Sequence, residues 1–402
     1  MPQRPPQHRA LSVTGLLGAS VVTCALLAAA MTVWIHAWGQ WHDGPARLSS
    51  STHVMPEGDF SLLWSAGRMA ADGHAAGVYD GSKLLEWRRH AFGPGFRRLD
   101  WMYPPPVLAL GVAVSRFPLL PGYFLWDLLI CAVSLWVLRG AGLPWRVVLP
   151  GFFGPPTWTC LVLGQHAPLV GAFVVGGLLR ARQAPVRAGM QVALATFKPH
   201  LGVLVPLVWL AQRRWPAFAV AAAGTLLLAA VGTVLLGPGI WPAFLHGTGE
   251  SGQALLGKYF AHGYPIWAAS VFWMMRSFDA PAGAAYAVQG ITALMVVAAV
   301  WVAARRGDGV AVAGFAACLM PLVSPYLYSF DLTGYSLAIA IYAGRRGWTV
   351  PLVLLWLCPG LSEAFTYFTE RAVLPVFIVL AAALLWRDVG RSTADAPTAA
   401  LA

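Results

Sequence analysis

Residues 188–211 read AGMQVALATFKPHLGVLVPLVWLA, an apolar stretch with Lys198, Pro199 and His200 near its middle. Arg180, Arg182 and Arg187 precede it, and Arg213 and Arg214 follow it. Between apolar segments, such arginine clusters mark the cytoplasmic side of a membrane. Both flanks then belong to one side, yet the stretch is 24 residues long. Two complete spans would need about 20 apolar residues each. The stretch is therefore expected to form a hairpin of two half-helices with Lys-Pro-His near its tip. Pro199 leaves a carbonyl of the preceding turn without a partner. Non-helical backbone at membrane depth is tolerated only where protein or a water-filled cavity satisfies it. A hairpin of this kind implies an all-α polytopic membrane protein whose helix breaks surround an internal cavity.

The rest of the chain agrees. Of its 402 residues, 58% are hydrophobic and 11% charged, with a mean hydropathy of +0.64. A soluble domain carries about 25% charged residues. Lys and Arg outnumber Asp and Glu by 27 to 16. The basic residues fall in short clusters between apolar runs, which reads as a topology signal and not as nucleic-acid binding. The five cysteines lie singly in apolar runs and read as small core residues, not a disulfide framework or a metal site. No P-loop or dinucleotide-binding glycine motif is present, which argues against a nucleotide-sugar donor or ATP hydrolysis. The composition, rich in Ala, Gly and Arg, fits a GC-rich bacterial genome.

Working outward, Leu11 to Trp38 is expected to be a retained first span, too long for a signal peptide and preceded by Arg4 and Arg9 on the cytoplasmic side. A first outer loop follows over 39–103. Within it, DFSLLWSAGRMAADG (59–73) has the pattern of an amphipathic helix at the interface. WMYPPP (101–106) ends the loop and starts a helix at Pro104. Apolar runs near 105–118 and 122–138 come next. This count leaves Arg139 to Arg146 outside, which requires either a re-entrant pair over 143–164 or a span count that is off by one. A span at 215–236 leads to a second outer loop over 237–280, and the remaining runs reach Arg305-Arg306, Arg345-Arg346 and a cytoplasmic C-terminus. The sum is about 10–14 membrane helices or half-helices in one domain over 1–390, with a disordered tail at 391–402.

Polar residues concentrate at the outer breaks and loops. Asp59 can cap a helix or serve as a carboxylate that takes a proton from a hydroxyl, and Glu57 competes for that role. Lys198, one of three lysines in the chain, reads as a snorkelling side chain or as a cation that holds a phosphate. Gln165 and His166 interrupt an apolar run, as interhelical hydrogen-bond partners or as ligands for sugar or phosphate. Tyr103, Tyr326, Tyr328 and Asp331 fit sugar or acceptor binding, although interfacial tyrosines also anchor helices and Asp331 can cap one.

Five segments occur in a recognisable order: GDFSLLWSAGRMAADGHAAGVYD (58–80), WMYPPPVLAL (101–110), LGQHAPL (163–169), LATFKPHLGVLVPL (194–207) and LVSPYLYSFDL (322–332). Together they resemble glycosyltransferase family 87, also known as the DUF2029 membrane proteins, over about residues 55–345. The resemblance implies a GT-C-type glycosyltransferase fold with two larger outer loops. It implies transfer of a sugar, mannose in characterised members, from a polyprenyl-phosphate donor to a lipid or glycan hydroxyl, with inversion. The reaction would take place on the periplasmic face of a bacterial plasma membrane. By position, Asp59 is then the catalytic base and Lys198 the donor-phosphate ligand, with Arg68 and His200 as further phosphate candidates. Some members carry a His in the segment matching SPYLYSFD, where this chain has Tyr326. No cofactor is expected. A phosphate monoester leaving group demands no bridging metal, although some GT-C enzymes use a divalent ion. The rival reading is a non-enzymatic transporter or flippase of lipid-linked saccharides, which needs the same lipid groove and polar pocket but no carboxylate base.

Overall fold

The computed structural model of the chain describes residues 59–92, 98–257, 265–307 and 309–390. The expected first span, Glu57 and the tail 391–402 lie outside the described residues. Among the described residues the fold is all-α, with no strand beyond one antiparallel bridge between Ala268 and Tyr328. Four helices are long and apolar enough to cross a bilayer: Pro121–Gly140, Trp215–Leu236, Ala282–Arg306 and Val350–Thr369. A helix of about 20 residues is roughly 30 Å long, the thickness of a hydrocarbon core. The chain is a polytopic membrane protein. Proline opens many of its helices: Pro105, Pro155, Pro185 and Pro351 stand in first turns, where an N–H would have no intrahelical partner.

Contacts at helix ends sort the bundle into two poles. Arg180 Nε donates to the Gly140 carbonyl at 2.9 Å, so Leu119–Gly140 and Ala167–Arg180 end side by side. A β-carbon on Gly189 would meet Ala217 and Val220, and one on Gly224 would meet Ala193. Pro185–Ala195 and Trp215–Leu236 thus run parallel from the same pole, packed closely through small residues. Leu204–Ala211 runs back to the same pole beside Ala282–Arg306: Gln212 Nε2 donates to the Gly307 carbonyl at 3.2 Å and Arg305 Nη1 to the Ala211 carbonyl at 3.4 Å. Arg345 lies 3.4 Å from Asp388, Arg346 also pairs with Asp388, and Gly307 lies beside Gly390. The arginine clusters at 180–187, 213–214, 305–306 and 345–346 therefore share one pole, and the hairpin expected over 188–211 is what the chain forms.

Arg139 also belongs to the arginine pole, so Leu119–Gly140 ends there and the segment after it starts there. Pro105–Val114 has 10 residues, about half a bilayer, and does not cross. Trp145–Phe152 and Pro155–Leu163 then form one broken leg that climbs antiparallel to Thr333–Arg346, with Gly151 against Leu337 and Ala340, and Thr157 against Thr333. The second outer loop is largely helical, over Ile240–Gly257 and Val271–Ser277.

The helix Asp59–Met69 departs from expectation as well. Instead of lying at the interface with one wet face, it buries Phe60 to Gly67 and Met69, leaving Arg68 exposed. The reason is close packing on Pro105–Val114: a β-carbon on Gly67 would sit 2.1 Å from the Gly111 carbonyl oxygen. Trp64 Nε1 adds a bond to the Phe117 carbonyl at 2.9 Å. Asp59 opens the helix, where its charge meets the positive end of the dipole. Phe60 packs on Tyr123 and Gly164, which fixes Asp59 at the pole opposite the arginines.

Gly67→Ala is expected to lower the thermal midpoint in detergent or nanodiscs, since overpacking costs about 1–3 kcal/mol. Gly283→Ala, where a β-carbon meets nothing within 4 Å, is the control and should leave the midpoint unchanged or slightly raised.

Candidate active site

Three helix breaks meet at the pole opposite the arginines. The first follows Pro155–Leu163. Gly164 takes a left-handed conformation, φ +70°, and the Gln165 N–H returns to the Cys160 carbonyl at 2.8 Å. Trp126 Nε1 satisfies the Gly164 carbonyl at 3.0 Å, and Tyr123 Oη bonds the Leu161 carbonyl. Gln165 and His166 are thereby turned inward and buried. Tyr103 Oη lies 3.1 Å from Gln165 Oε1 and 2.9 Å from its Nε2, and the Gln165 amide also bonds the Asp59 carboxylate. The His166 ring sits 5.0 Å from that of Tyr103 and bonds the Phe197 backbone. Burial, with the nearby Lys198 charge, pushes His166 down to about 3, so its imidazole is neutral.

The second break is the hairpin tip. Lys198 is buried there, with Nζ 2.7 Å from Asp331 Oδ1 and over the rings of Tyr103 and Phe330 at 5.7 and 5.5 Å. The third break is the short turn Ser329–Asp331. Its Asp331 Oδ2 accepts the Tyr328 N–H at 3.3 Å and lies 3.9 Å from His200 Nε2. The side chains of Lys198 and Asp331 are 5% and 1% exposed, so each ion's compensation comes from the other. Lys198 thus reaches the cavity as one half of a buried ion pair.

The breaks enclose a cavity of about 520 Å³. Asp59, Tyr103, Gln165, Lys198, His200, Tyr326, Tyr328 and Asp331 all line it. Of the residues singled out in the sequence, two described ones stay off its wall. His166 stands behind Tyr103 as a support. Arg68 is corrected: it is exposed at the far end of Asp59–Met69, roughly 13 Å along the helix from Asp59 at 1.5 Å per residue, with its guanidinium over Trp64. Two functional candidates went unread. Arg98 lines the cavity, held by Asp100 at 2.7 Å; the run RRLD just before WMYPPP was its only signal. Glu363 binds Ser329 from behind the third break; its signal was a lone acid in the apolar run 350–369. Among the described residues no three His, Cys, Asp or Glu side chains form a metal-holding group.

Two of the cavity carboxylates, Asp59 and Asp331, have opposite environments. Asp59 is raised above the usual carboxylate range, chiefly by burial, against the pull of Gln165 and Lys198. For Asp331 burial also acts upward, but the Lys198 ammonium and His200 outweigh it and hold the group down to about 2. Asp59 thus takes up a proton more readily than an ordinary carboxylate, while Asp331 holds its charge. Such a divergence separates proton-transfer groups from fixed charges in active sites.

Lys198→Ala should leave Asp331 buried and uncompensated, a loss of about 3–5 kcal/mol, read as a fall in thermal midpoint; Asp331→Asn in the same chain should recover part of it. Because Asp331 is depressed when folded, its contribution is present above the ordinary carboxylate range and fades as pH falls toward 2. The wild-type midpoint should drop in that window, and the double variant should respond less.

No curated protein and no solved structure matches the chain. The model of glycosyltransferase family 87 matches residues 101–325, more than half of the chain. The match takes in Tyr103, Gln165 and Lys198, while Asp59, Asp331 and Glu363 lie on either side of it. With this match added to the all-α membrane fold, the chain belongs to glycosyltransferase family 87, the membrane glycosyltransferases that its motifs resemble.

Proposed function

We propose that this glycosyltransferase moves mannose from a polyprenyl-phosphate donor to a lipid or glycan hydroxyl, with inversion, on the periplasmic face of a bacterial plasma membrane. The observation that carries the reading is the meeting of Asp59 with Gln165, Tyr103 and the Lys198–Asp331 pair on one cavity, at the pole away from the arginines. Arginine-rich loops remain cytoplasmic, so the opposite pole is the outer one. There a nucleotide sugar is scarce, whereas a lipid-linked sugar arrives through the bilayer. Helix breaks opening on an apolar interior suit a lipid tail, in the manner of a GT-C fold.

In this reading Asp59 accepts the proton of the acceptor hydroxyl. The acceptor oxygen attacks the anomeric carbon from the side opposite the phosphate. The bond from that carbon to the phosphate oxygen breaks, and its electron pair leaves with the polyprenyl phosphate, which gains one negative charge. Groups that hold this charge more tightly than the donor's accelerate the step. His200 and Arg98, both on the cavity wall, are the candidates, with the Lys198 ammonium beside them on the same wall. Gln165 orients the base, and the tyrosines and Phe330 shape the sugar site. No step is routed through a metal.

Asp59→Asn is expected to lower transfer of labelled mannose from polyprenyl-phosphate-mannose by about 10²–10⁴-fold, the usual share of a general base, with donor binding and thermal midpoint retained. Transfer by the variant at the parental rate would remove Asp59 as the base. Since the Asp59 proton affinity is raised, wild-type kcat should fall on acidification at a pH above the ordinary carboxylate range. Movement of intact donor across vesicles, with no labelled product, would favour a flippase instead.

A further inference from the structure

Glu363 is an acid inside a membrane-spanning helix. Ionisable side chains at that depth are costly and mark function by default. In Val350–Thr369, Pro359 interrupts the helical ladder and frees the Leu355 carbonyl, which accepts from Tyr335 Oη at 2.8 Å. One turn further on, Glu363 Oε1 accepts from Ser329 Oγ at 2.6 Å and from Thr159 Oγ1 at 3.5 Å. Glu363 is off the cavity wall. Its reach is through Ser329, which opens the turn that carries Asp331.

That turn has little stability of its own. A single turn of this type holds few internal bonds, here Asp331 N to the Tyr328 carbonyl at 3.0 Å and Leu332 N to the Ser329 carbonyl at 3.3 Å. Side chains hold its back. Cys160 Sγ reaches the Phe330 carbonyl at 3.0 Å, and Thr157 and Thr333 bond each other at 3.0 Å. Glu363 adds the shortest of these contacts, its Oε1 shared by Ser329 and Thr159, so one acceptor ties the turn to the broken leg behind it. On the front of the same turn, Asp331 fixes Lys198.

We propose that Glu363 is a positioning residue: through Ser329 it fixes the Ser329–Asp331 turn, and so sets where the Lys198–Asp331 pair stands against the donor. The role rests on the glycosyl-transfer reading above. It makes the bilayer-embedded helix Val350–Thr369, beyond the segment matched by the family, part of the catalytic unit.

The test is steady-state transfer from polyprenyl-phosphate-mannose by the full chain in nanodiscs, with donor KM and kcat resolved. Glu363→Leu and Ser329→Ala should each cut kcat/KM for the donor roughly tenfold, at a thermal midpoint that keeps the protein folded at the assay temperature. The double variant should lose no more than the worse single one, because the two groups act through one bond. Glu363→Gln keeps an Oε1 acceptor and should return to within about twofold of wild type. A merely structural acid would lower the midpoint but leave KM and kcat of the folded fraction alone. Additive losses in the double variant, or unaltered kinetics in Glu363→Leu, overturn the proposal while wild-type transfer keeps the glycosyl-transfer reading intact. If Glu363→Leu does not fold, Ser329→Ala and Glu363→Gln decide: loss in the first with recovery in the second supports the role, and wild-type kinetics in both refutes it. A wild-type chain that transfers nothing sinks the glycosyl-transfer reading, and this role falls with it.

Discussion

An ammonium and a carboxylate buried together at one pole of an apolar bundle impose a strict condition. Lys198 and Asp331 come from breaks 133 residues apart, and their contact at 2.7 Å is the one arrangement that lets both stay charged there. Separating them would strand two ions at a cost of several kcal/mol each. The hairpin tip and the Ser329–Asp331 turn must therefore meet. With them meet the four helices they interrupt, Pro185–Ala195, Leu204–Ala211, Val310–Leu319 and Thr333–Arg346. An apolar substitute for the pair could be as stable, so its presence points to the chemistry of the cavity and not to bundle assembly alone.

Helix breaks at this depth leave backbone groups to satisfy, and aromatic side chains do most of that. Trp126 takes the Gly164 carbonyl, Trp356 the Pro150 carbonyl at 2.9 Å and Tyr335 the Leu355 carbonyl. Each is a bulky apolar group with one polar tip. It fills space between helices and delivers a donor to the point where the ladder fails. A chain with 12% aromatic residues can thus afford short, proline-started helices that a leucine-only bundle could not.

Much of this was legible beforehand, for identifiable reasons. Arginine spacing around residues 188–211 fixed the hairpin, because topology signals act through charge count and need no tertiary information. The convergence of Tyr103, Gln165, Lys198 and Asp331 followed from the rule that polar groups at membrane depth seek one another. What escaped was set by packing. Pro105–Val114 looks like part of a span by composition, yet it is too short and is occupied by Asp59–Met69 through the Gly67–Gly111 contact. That same contact turned an apparently amphipathic segment into a buried one. Arg68 has the right charge and the wrong face, a distinction that emerges only once the partner helix is known. The pairing of Lys198 with Asp331 was hidden because the two were read separately, in segments 133 residues apart.

The location of the two carboxylates has a mechanistic consequence. Asp331 is built into the membrane bundle and tied on every side, by Lys198, by its own backbone turn and by the contacts behind Ser329. Asp59 stands on a helix of the first outer segment, joined to the bundle through Gln165, Phe60 and the Gly67–Gly111 approach. A fixed anion–cation pair can present a constant field to a phosphate throughout turnover without reorganising, which is where preorganised electrostatics gains its effect. A proton acceptor has a different requirement: it must load and release a proton in each cycle, so it needs a raised affinity and access to water. The environments of the two acids meet these requirements separately. The outer segment carries the group that must exchange with solvent, and the bundle carries the charges that must not move.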